Sequence, residues 1–254
     1  MAVHVDLNCD MGESFGAYTI GADEAVMPLI SSANIACGFH AGDPLVMRQT
    51  VRLAKAHGVS IGAHPGFRDL AGFGRRNMAC TPDELYTDVL YQIGALAAVC
   101  RAEGVSMHHV KAHGALYNMA AVNAEISRAI AAAVADFDRN LVLFALPGSE
   151  VAKAGEAAGL QVACEVFGDR AYNEDGSLVS RKLPGAVLSD DAAAETQVLS
   201  MVLDGRVRAI SGKQVPVIAD TVCVHGDNPH AVAFITRIRA ALTGRGVIVG
   251  PPRN

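Results

Sequence analysis

The sequence predicts one α/β domain over residues 1–254, folded as a β/α barrel with about seven strands. Short β-branched runs alternate along the chain with longer Ala-rich stretches that carry helix-start and helix-end signals. Within the predicted strands, alternate residues separate into an apolar face and a face that becomes polar towards the carboxyl end. No linker, repeat or low-complexity stretch divides the chain, so we expect a single domain.

The composition excludes several classes of protein. Of the 254 residues, 51% are apolar and 19% are charged, which is enough apolar material for one core. The 21 Lys and Arg and 26 Asp and Glu give a net charge of −5 with no basic stripe, so no nucleic-acid partner is expected. No apolar run has the length of a membrane span. The six widely spaced cysteines lack a CxxC pair and are expected to be reduced thiols of a cytoplasmic protein.

Strands are expected wherever a β-branched run lies between turn residues. These runs fall near 3–8, 33–37, 59–63, 107–111, 141–145, 161–166 and 221–225. A weaker pair of segments, 206–210 and 215–218, is expected to form a small hairpin attached to the main sheet.

The helices are expected between these strands, and several have explicit end signals. Asp43 and Pro44 form an N-cap followed by a first-turn proline, and Gly58 ends the same helix. Thr81 and Glu84 have the spacing of a capping box. The predicted helices lie near 23–31, 43–57, 81–103, 122–135, 148–158, 189–203 and 228–243.

The two faces of each strand favour a closed barrel over an open sheet. In the first strand Val5 and Leu7 share one face, while Asp6 and Asn8 share the other. An open sheet covered by helices on both sides would have two apolar faces. A barrel surrounded by helices needs an apolar outer face only, so its lumen can carry polar residues that face a ligand.

Titratable residues beside glycines follow six of the predicted strands. Active sites of β/α barrels are built from the loops at the carboxyl ends of the strands, so these residues predict an enzyme-like pocket. Lys111 or Arg170 could stabilise an oxyanion there. The candidate general acids and bases are Asp10, Glu13, His40, His64 and His113.

The same residues leave a second chemistry open, because Asp and His side chains from several strands can also hold a divalent metal ion. No HExxH, HxH or CxxC spacing supports that interpretation directly. Cys9, Cys37, Cys164 and Cys223 are expected to fill space as small apolar residues near strand ends.

The glycine-rich stretch 65–76 contains three arginines. It could be a mobile lid whose Arg68, Arg75 or Arg76 grips a carboxylate or phosphate, or an ordinary surface loop with solvated charges. The chain contains neither GxxxxGK[ST] nor GxGxxG, so a nucleotide would have to bind through other elements or on another chain.

Taken together, the short sequence segments at the predicted strand ends resemble those of the LamB/YcsF family, also called the lactam utilisation proteins. Two departures, Ala112 in place of Pro and Gly168 in place of Ala, remove no titratable group. The matching segments are 6–13, 34–44, 62–67, 72–76, 111–118, 165–170 and 223–227.

The resemblance implies an irregular seven-stranded β/α barrel similar to those of polysaccharide deacetylases. It also implies ATP-dependent opening of 5-oxo-L-proline to L-glutamate, carried out with the separate B and C subunits of a 5-oxoprolinase. ATP, accompanied by Mg²⁺, would then bind through the assembled complex, in agreement with the missing P-loop.

Under this resemblance Asp10 or Glu13 would be the base for water, and His40, His64 and Lys111 would polarise the activated carbonyl. The expected substrate-binding residues, with Arg75 or Arg76 holding the carboxylate, are Asn8, Asn34, Arg75, Arg76, Tyr117, Glu165, Asp169, Arg170, His225 and Asp227.

Two other functions remain open at this point. One is a metal-dependent deacetylase or amidohydrolase that acts alone. The other is a non-catalytic subunit that binds the substrate or scaffolds the B and C subunits. A protein-bound divalent metal ion and self-association into a homo-oligomer are likewise left open by the sequence.

Overall fold

The computed structural model describes residues 2–188, 190–224 and 231–252, and all of its strands except one short strand near the carboxyl end lie within a few residues of the predicted positions. The strands are β1 His4–Met11, β2 Ser32–Ala36, β3 Ser60–His64, β4 Met107–Lys111, β5 Val142–Ala145, β6 Gln161–Phe167, β7 Arg206–Arg208, β8 Gln214–Pro216, β9 Thr221–Val224 and β10 Ile248–Val249.

Seven of these strands form a closed parallel barrel. Each strand from β1 to β6 pairs with the next, β6 pairs with β9, and β9 pairs back with β1. The short β10 extends the sheet beside the first residues of β1, where His4 faces Ile248. The predicted seven-stranded β/α barrel is therefore confirmed.

The predicted hairpin is present but lies in a different sheet from the one expected. Strands β7 and β8 pair antiparallel as a separate two-stranded sheet. Ala209, just after β7, bridges to Tyr172 in the loop that follows β6. The hairpin was wrongly attached to the main sheet, because the alternation of a short strand does not identify its partner.

The helices surround the barrel, and most end at the predicted signals. Asp43 caps the first long helix through the amides of Leu45 and Val46, and Thr81 and Glu84 form the expected capping box. The helices are α1 Asp23–Val26, α2 Pro44–His57, α3 Pro82–Ala102, α4 Gly114–Val122, α5 Ala124–Phe137, α6 Glu150–Ala157, α7 Asp191–Leu199 and α8 Ala231–Gly244. Short 3₁₀ and π turns follow α1 and α7 at Met27–Leu29 and Ser200–Asp204.

The predicted helix 122–135 corresponds to α5, and the helix that precedes it, α4, was not predicted. The structure has two helices, α4 and α5, separated by Asn123. The Asn123 side chain accepts hydrogen bonds from the amides of Glu125 and Ile126, which starts α5 afresh. As a result, α4 begins directly at the carboxyl end of β4, beside the pocket.

The two faces of β1 divide as the alternation predicts, while the lumen also contains apolar side chains from β5. Val5 and Leu7 of β1 are fully buried in the main apolar cluster between the barrel and the helices. On the other face, Phe144 of β5 stacks on the His109 ring with ring centroids 4.2 Å apart. Among the described residues, no helix combines the length and the apolar character that crossing a bilayer requires.

Candidate active site

The floor of the barrel lumen, at the amino ends of the strands, is occupied by the buried carboxyl group of Asp6. The hydroxyls of Ser31 and Ser32 donate to its Oδ1, and that of Thr221 donates to its Oδ2. Burial raises the pKa of Asp6 to about 6. Thr221 also accepts a hydrogen bond from Asn8, and so connects the floor to the polar groups above it.

The ammonium group of Lys111 lies at the centre of these upper groups. Its Nζ is 2.9 Å from Oε1 of Glu165, 3.0 Å from Oδ1 of Asp10 and 3.2 Å from Oδ1 of Asn8. It also donates to Sγ of Cys223 at 3.1 Å. Burial alone would lower the pKa of Lys111, but the neighbouring negative groups, Asp10 first, raise it well above its usual value. Lys111 is therefore a fixed buried cation.

Asp10 connects the lysine to the histidines. Its Oδ1 accepts from Lys111 and, at 2.9 Å, from Nδ2 of Asn34. Its Oδ2 lies 3.2 Å from Nε2 of His64. Oδ1 of Asn34 is bonded to Nε2 of His109, which fixes the orientation of the Asn34 amide. Asp10 is thus positioned at the mouth of the lumen by groups from three other strands.

Glu13, His40, His64 and His113 form a buried cluster beside Asp10, and one ligand atom from each lies within 4.8 Å of the others. The rings of His40 and His113 stack with centroids 3.7 Å apart and an interplanar angle of 5°. Burial, together with the neighbouring imidazoles, lowers the pKa of His113 to about 3 and that of His40 well below its usual value. Neutral imidazoles and a carboxylate are the donors of a divalent-metal site.

The loop between β3 and α3 covers this cluster and is held in place by ion pairs. Asp69 binds the guanidinium of Arg76 and accepts the amide of Gly72. The guanidinium of Arg68 binds Asp88 of α3. Arg68 and Arg76 are therefore both paired within the protein. The loop turns at Phe73, a non-glycine residue with φ of +54°.

A cavity of about 590 Å³ opens above the site. Arg75, unlike Arg76, lines it, and so does the segment that contains Arg181 and Lys182. These cations make the cavity suitable for an anionic ligand. The predicted site residues that line the cavity are Asp10, Glu13, His64, Arg75, Lys111, His113, Tyr117 and Arg170.

Other predicted residues lie around the cavity rather than on its wall. Asn8, Asn34 and Glu165 are fully buried in the lumen, and His40 is fully buried within the histidine cluster. Arg76 is bound to Asp69, and Asp169 is absent from the cavity lining, with its carbonyl accepting the amide of Leu188. His225 and Asp227 lie outside the described residues.

Arg170 lines the cavity, and its side chain also forms hydrogen bonds that stabilise the cavity wall. It donates to the carbonyl oxygens of Ala186 and Val179, which anchors the wall segment. Burial, and then the neighbouring Arg181, lower the pKa of the Arg170 guanidinium.

Several groups of the site were not singled out from the sequence, Asp6, Arg181 and Lys182 among them. His109, Thr221 and Cys223 occupy strand positions on the lumen face, so their alternation with apolar residues was an available signal. Cys223 was interpreted as a space-filling residue, whereas its sulfur accepts a hydrogen bond from Lys111. The carbonyl of Phe73 accepts a hydrogen bond from His113. Because it is a backbone group, the residue types in the sequence could not indicate this contact.

The sequence pattern of the LamB/YcsF family matches residues 5–254 of this chain. The chain belongs to the LamB/YcsF family. It is 62% identical over 248 residues to a protein of Symbiobacterium thermophilum that is named as the A subunit of 5-oxoprolinase, an overlap covering 98% of this chain and 95% of that one. A protein of the same name from Pyrococcus abyssi is 56% identical over 252 residues, covering 99% of both chains.

Solved structures agree with this membership. The crystal structure of a lactam utilization protein from Thermus thermophilus superimposes with a TM-score of 0.93 at 52% identity, covering 97% of this chain and 99% of that one. A putative cellobiose-phosphate cleavage protein from Enterococcus faecalis has a TM-score of 0.57 at 13% identity, covering 99% and 98%. The second likeness extends to the fold alone.

Proposed function

We propose that this LamB/YcsF chain is the A component of a 5-oxoprolinase and opens the lactam ring of 5-oxo-L-proline to give L-glutamate. Full-length relatives at 56–62% identity that carry this name support the proposal. The chemistry of the site supports it independently. An acid–base cluster lies beneath a cavity with cationic walls, and 5-oxoproline is a small lactam that carries a carboxylate.

ATP supplies the driving force in this proposal. A five-membered lactam is a poor electrophile, and phosphorylation of its amide oxygen would activate the carbonyl and make ring opening favourable. The chain has no phosphate-binding GxxxxGK[ST] loop, so we assign ATP and its Mg²⁺ to the complex formed with the B and C subunits.

The Asp10–Lys111 ion pair, 3.0 Å long at the base of the cavity, carries the assignment of the reaction to this chain. In the proposal the carboxylate of Asp10 accepts the proton of the water that adds to the activated carbonyl carbon. Lys111 stabilises the negative charge around the phosphorylated amide oxygen. The ring C–N bond then breaks as its nitrogen takes up a proton, and a second water hydrolyses the resulting acyl phosphate to glutamate and phosphate. Arg75 is assigned to the substrate carboxylate because its side chain lines the cavity, whereas Arg76 does not.

Glutamate release from 5-oxoproline, ATP and Mg²⁺ tests the proposal. The purified chain is assayed alone and together with the B and C subunits. As a positive control, the same B and C subunits are assayed with the corresponding A chain of a relative, which shows that these partners are active. We expect release only when all three components are present. Release by this chain alone would overturn the assignment of ATP to the complex. No release with active partners would overturn the proposed function.

A further inference from the structure

The tautomers of two histidines at the site are fixed by backbone carbonyl groups. Nδ1 of His64 lies 2.8 Å from the carbonyl oxygen of Lys111, and Nε2 of His113 lies 2.8 Å from that of Phe73. A carbonyl oxygen can only accept, so each of these ring nitrogens must carry the proton. In the neutral rings, the opposite nitrogens, Nε2 of His64 and Nδ1 of His113, are therefore left with lone pairs.

These two lone-pair nitrogens face each other across 3.0 Å. Two acceptors cannot form a hydrogen bond, so the arrangement requires a positive centre between or beside them. The surrounding groups are also acceptors. Oε1 of Glu13 lies 3.9 Å from Nδ1 of His113, and Oδ2 of Asp10 lies 3.2 Å from Nε2 of His64.

His40 provides a second, independent indication. It is fully buried, and neither of its ring nitrogens has a hydrogen-bond partner. Its Nε2 points towards Oε1 of Glu13 at 3.7 Å. A buried polar atom without a partner is costly, and native structures provide one for most such atoms.

We propose that Glu13, His40, His64 and His113 bind one divalent transition-metal ion of the zinc class. Ligand atoms at about 2.0–2.1 Å from a tetrahedral ion lie about 3.3 Å apart. Three of the pairs here are 3.0, 3.7 and 3.9 Å apart, and all four ligand atoms lie within 4.8 Å of one another, so a small closure would complete the site. Three imidazoles and one carboxylate suit zinc and its neighbours rather than magnesium or calcium.

The carbonyl groups behind the two rings complete the pattern. Histidines that bind metals usually donate their second ring nitrogen to a carbonyl or carboxylate, as His64 and His113 do here. Because the His40 ring is parallel to that of His113, an ion in the plane of His113 is displaced from the plane of His40. His64, His113 and Glu13 are therefore the principal ligands, and His40 is the weakest one.

This inference does not depend on the lactam reaction, since metal binding can be measured without a substrate. A zinc-class ion at this point would supply a Lewis acid beside Asp10. A Lewis acid of this kind lowers the pKa of a water molecule bound to it.

The test uses the full chain, free of any histidine tag and stripped of metal with a chelator. Zn²⁺ is titrated in competition with a chromophoric chelator, and Co²⁺ binding is followed by visible absorption. We expect one ion per chain, with the absorption spectrum of a four- or five-coordinate Co²⁺ ion. His64→Gln and His113→Gln should weaken Zn²⁺ binding by more than about 100-fold, since loss of an outer-shell partner alone costs about 10–100-fold.

His57→Gln is the matched control, because His57 is exposed at the end of α2 and should leave Zn²⁺ binding unchanged. If the histidine variants do not fold, Glu13→Gln tests the same ligand set. Non-stoichiometric binding by the wild type, or binding to the ligand variants equal to that of His57→Gln, would overturn the proposal. A proton shared between His64 and His113 in the wild type saturated with Zn²⁺, visible as a charged imidazole by ¹⁵N NMR at neutral pH, would also overturn it.

Discussion

Lys111 Nζ lies 2.9 Å from Oε1 of Glu165, and both side chains are buried inside the barrel. A buried ion pair contributes little net stability, but removing one partner leaves a charge without compensation in a low-dielectric interior. Since Asp10 also depends on this lysine, the cation balances two carboxylates. Lys111 therefore provides the positive charge that balances the carboxylates of the polar lumen.

We predict that Lys111→Met lowers the free energy of unfolding by about 3–5 kcal/mol, because it leaves the Asp10 and Glu165 carboxylates unpaired. Urea denaturation followed by circular dichroism measures the loss. Adding Glu165→Gln to this variant should recover part of it, because one of the unpaired charges is then removed. The control is Lys153→Met, whose exposed pair with Glu150 should contribute nothing measurable. Equal losses for the two single variants would contradict the account.

Gly62 is predicted to be required for closing the barrel. The His109 ring occupies the space where a Cβ on Gly62 would lie. Gly62→Ala should therefore lower the free energy of unfolding by at least about 3 kcal/mol, at the upper end of overpacking effects. Gly94→Ala, in the middle of α3 with open space around it, should raise stability by about 0.5–1 kcal/mol. Thermal unfolding of both variants decides the point, and a stable Gly62→Ala protein would be inconsistent with the packed lumen.

The barrel strands were predictable because their alternation marks which side chains face the lumen. β10 was not predicted, since a two-residue strand has no period to detect. Helix α4 was also missed, because it begins at a glycine and is apolar on nearly all sides, which removes the amphipathic pattern. Local signals therefore identified the long elements, while the short and uniformly apolar ones depended on tertiary contacts.

The stability of the protein should depend on pH through Asp6. Its pKa of about 6 in the folded state, against an ordinary 3.8, means that the folded state binds more protons than the unfolded state between these values. The contribution is fully present below about pH 4 and is lost as the pH rises through about 6. The unfolding free energy of the wild type minus that of Asp6→Asn should therefore fall by about 3 kcal/mol between pH 4 and pH 7. A difference that rises over this range would contradict the environment assigned to Asp6.

The loop over the histidine cluster should be released by Asp69→Ala. This substitution removes the partner of Arg76 and the acceptor of the Gly72 amide. Hydrogen exchange measured by mass spectrometry should be faster in peptides covering 66–76, and unchanged in α5. Asp83→Ala, an exposed change in α3, is the control. Unchanged exchange over 66–76 would mean that Asp69 does not hold the loop.

The site was predictable at the level of residue types and strand ends, but not at the level of contacts. Arg75 and Arg76 are adjacent and chemically equal in the sequence, and only the position of Asp69 shows that Arg76 is already bound. In the same way, the missing hydrogen-bond partner of His40 is a property of the packed structure. Strand alternation placed Lys111 on the lumen face, yet it could not show that Cys223 lies against it.

The measurement that tests the central claim most directly compares Asp10→Asn with the wild type in the assembled 5-oxoprolinase complex. Asparagine keeps the size of Asp10 but cannot accept the proton of the attacking water. We predict that the variant assembles with the B and C subunits and that glutamate release falls by about 10²–10⁴-fold, the contribution typical of a general base. Asp83→Asn, an exposed change in α3 away from the cavity lining, should retain the wild-type rate. Wild-type glutamate release by Asp10→Asn would contradict the claim that this site opens the lactam.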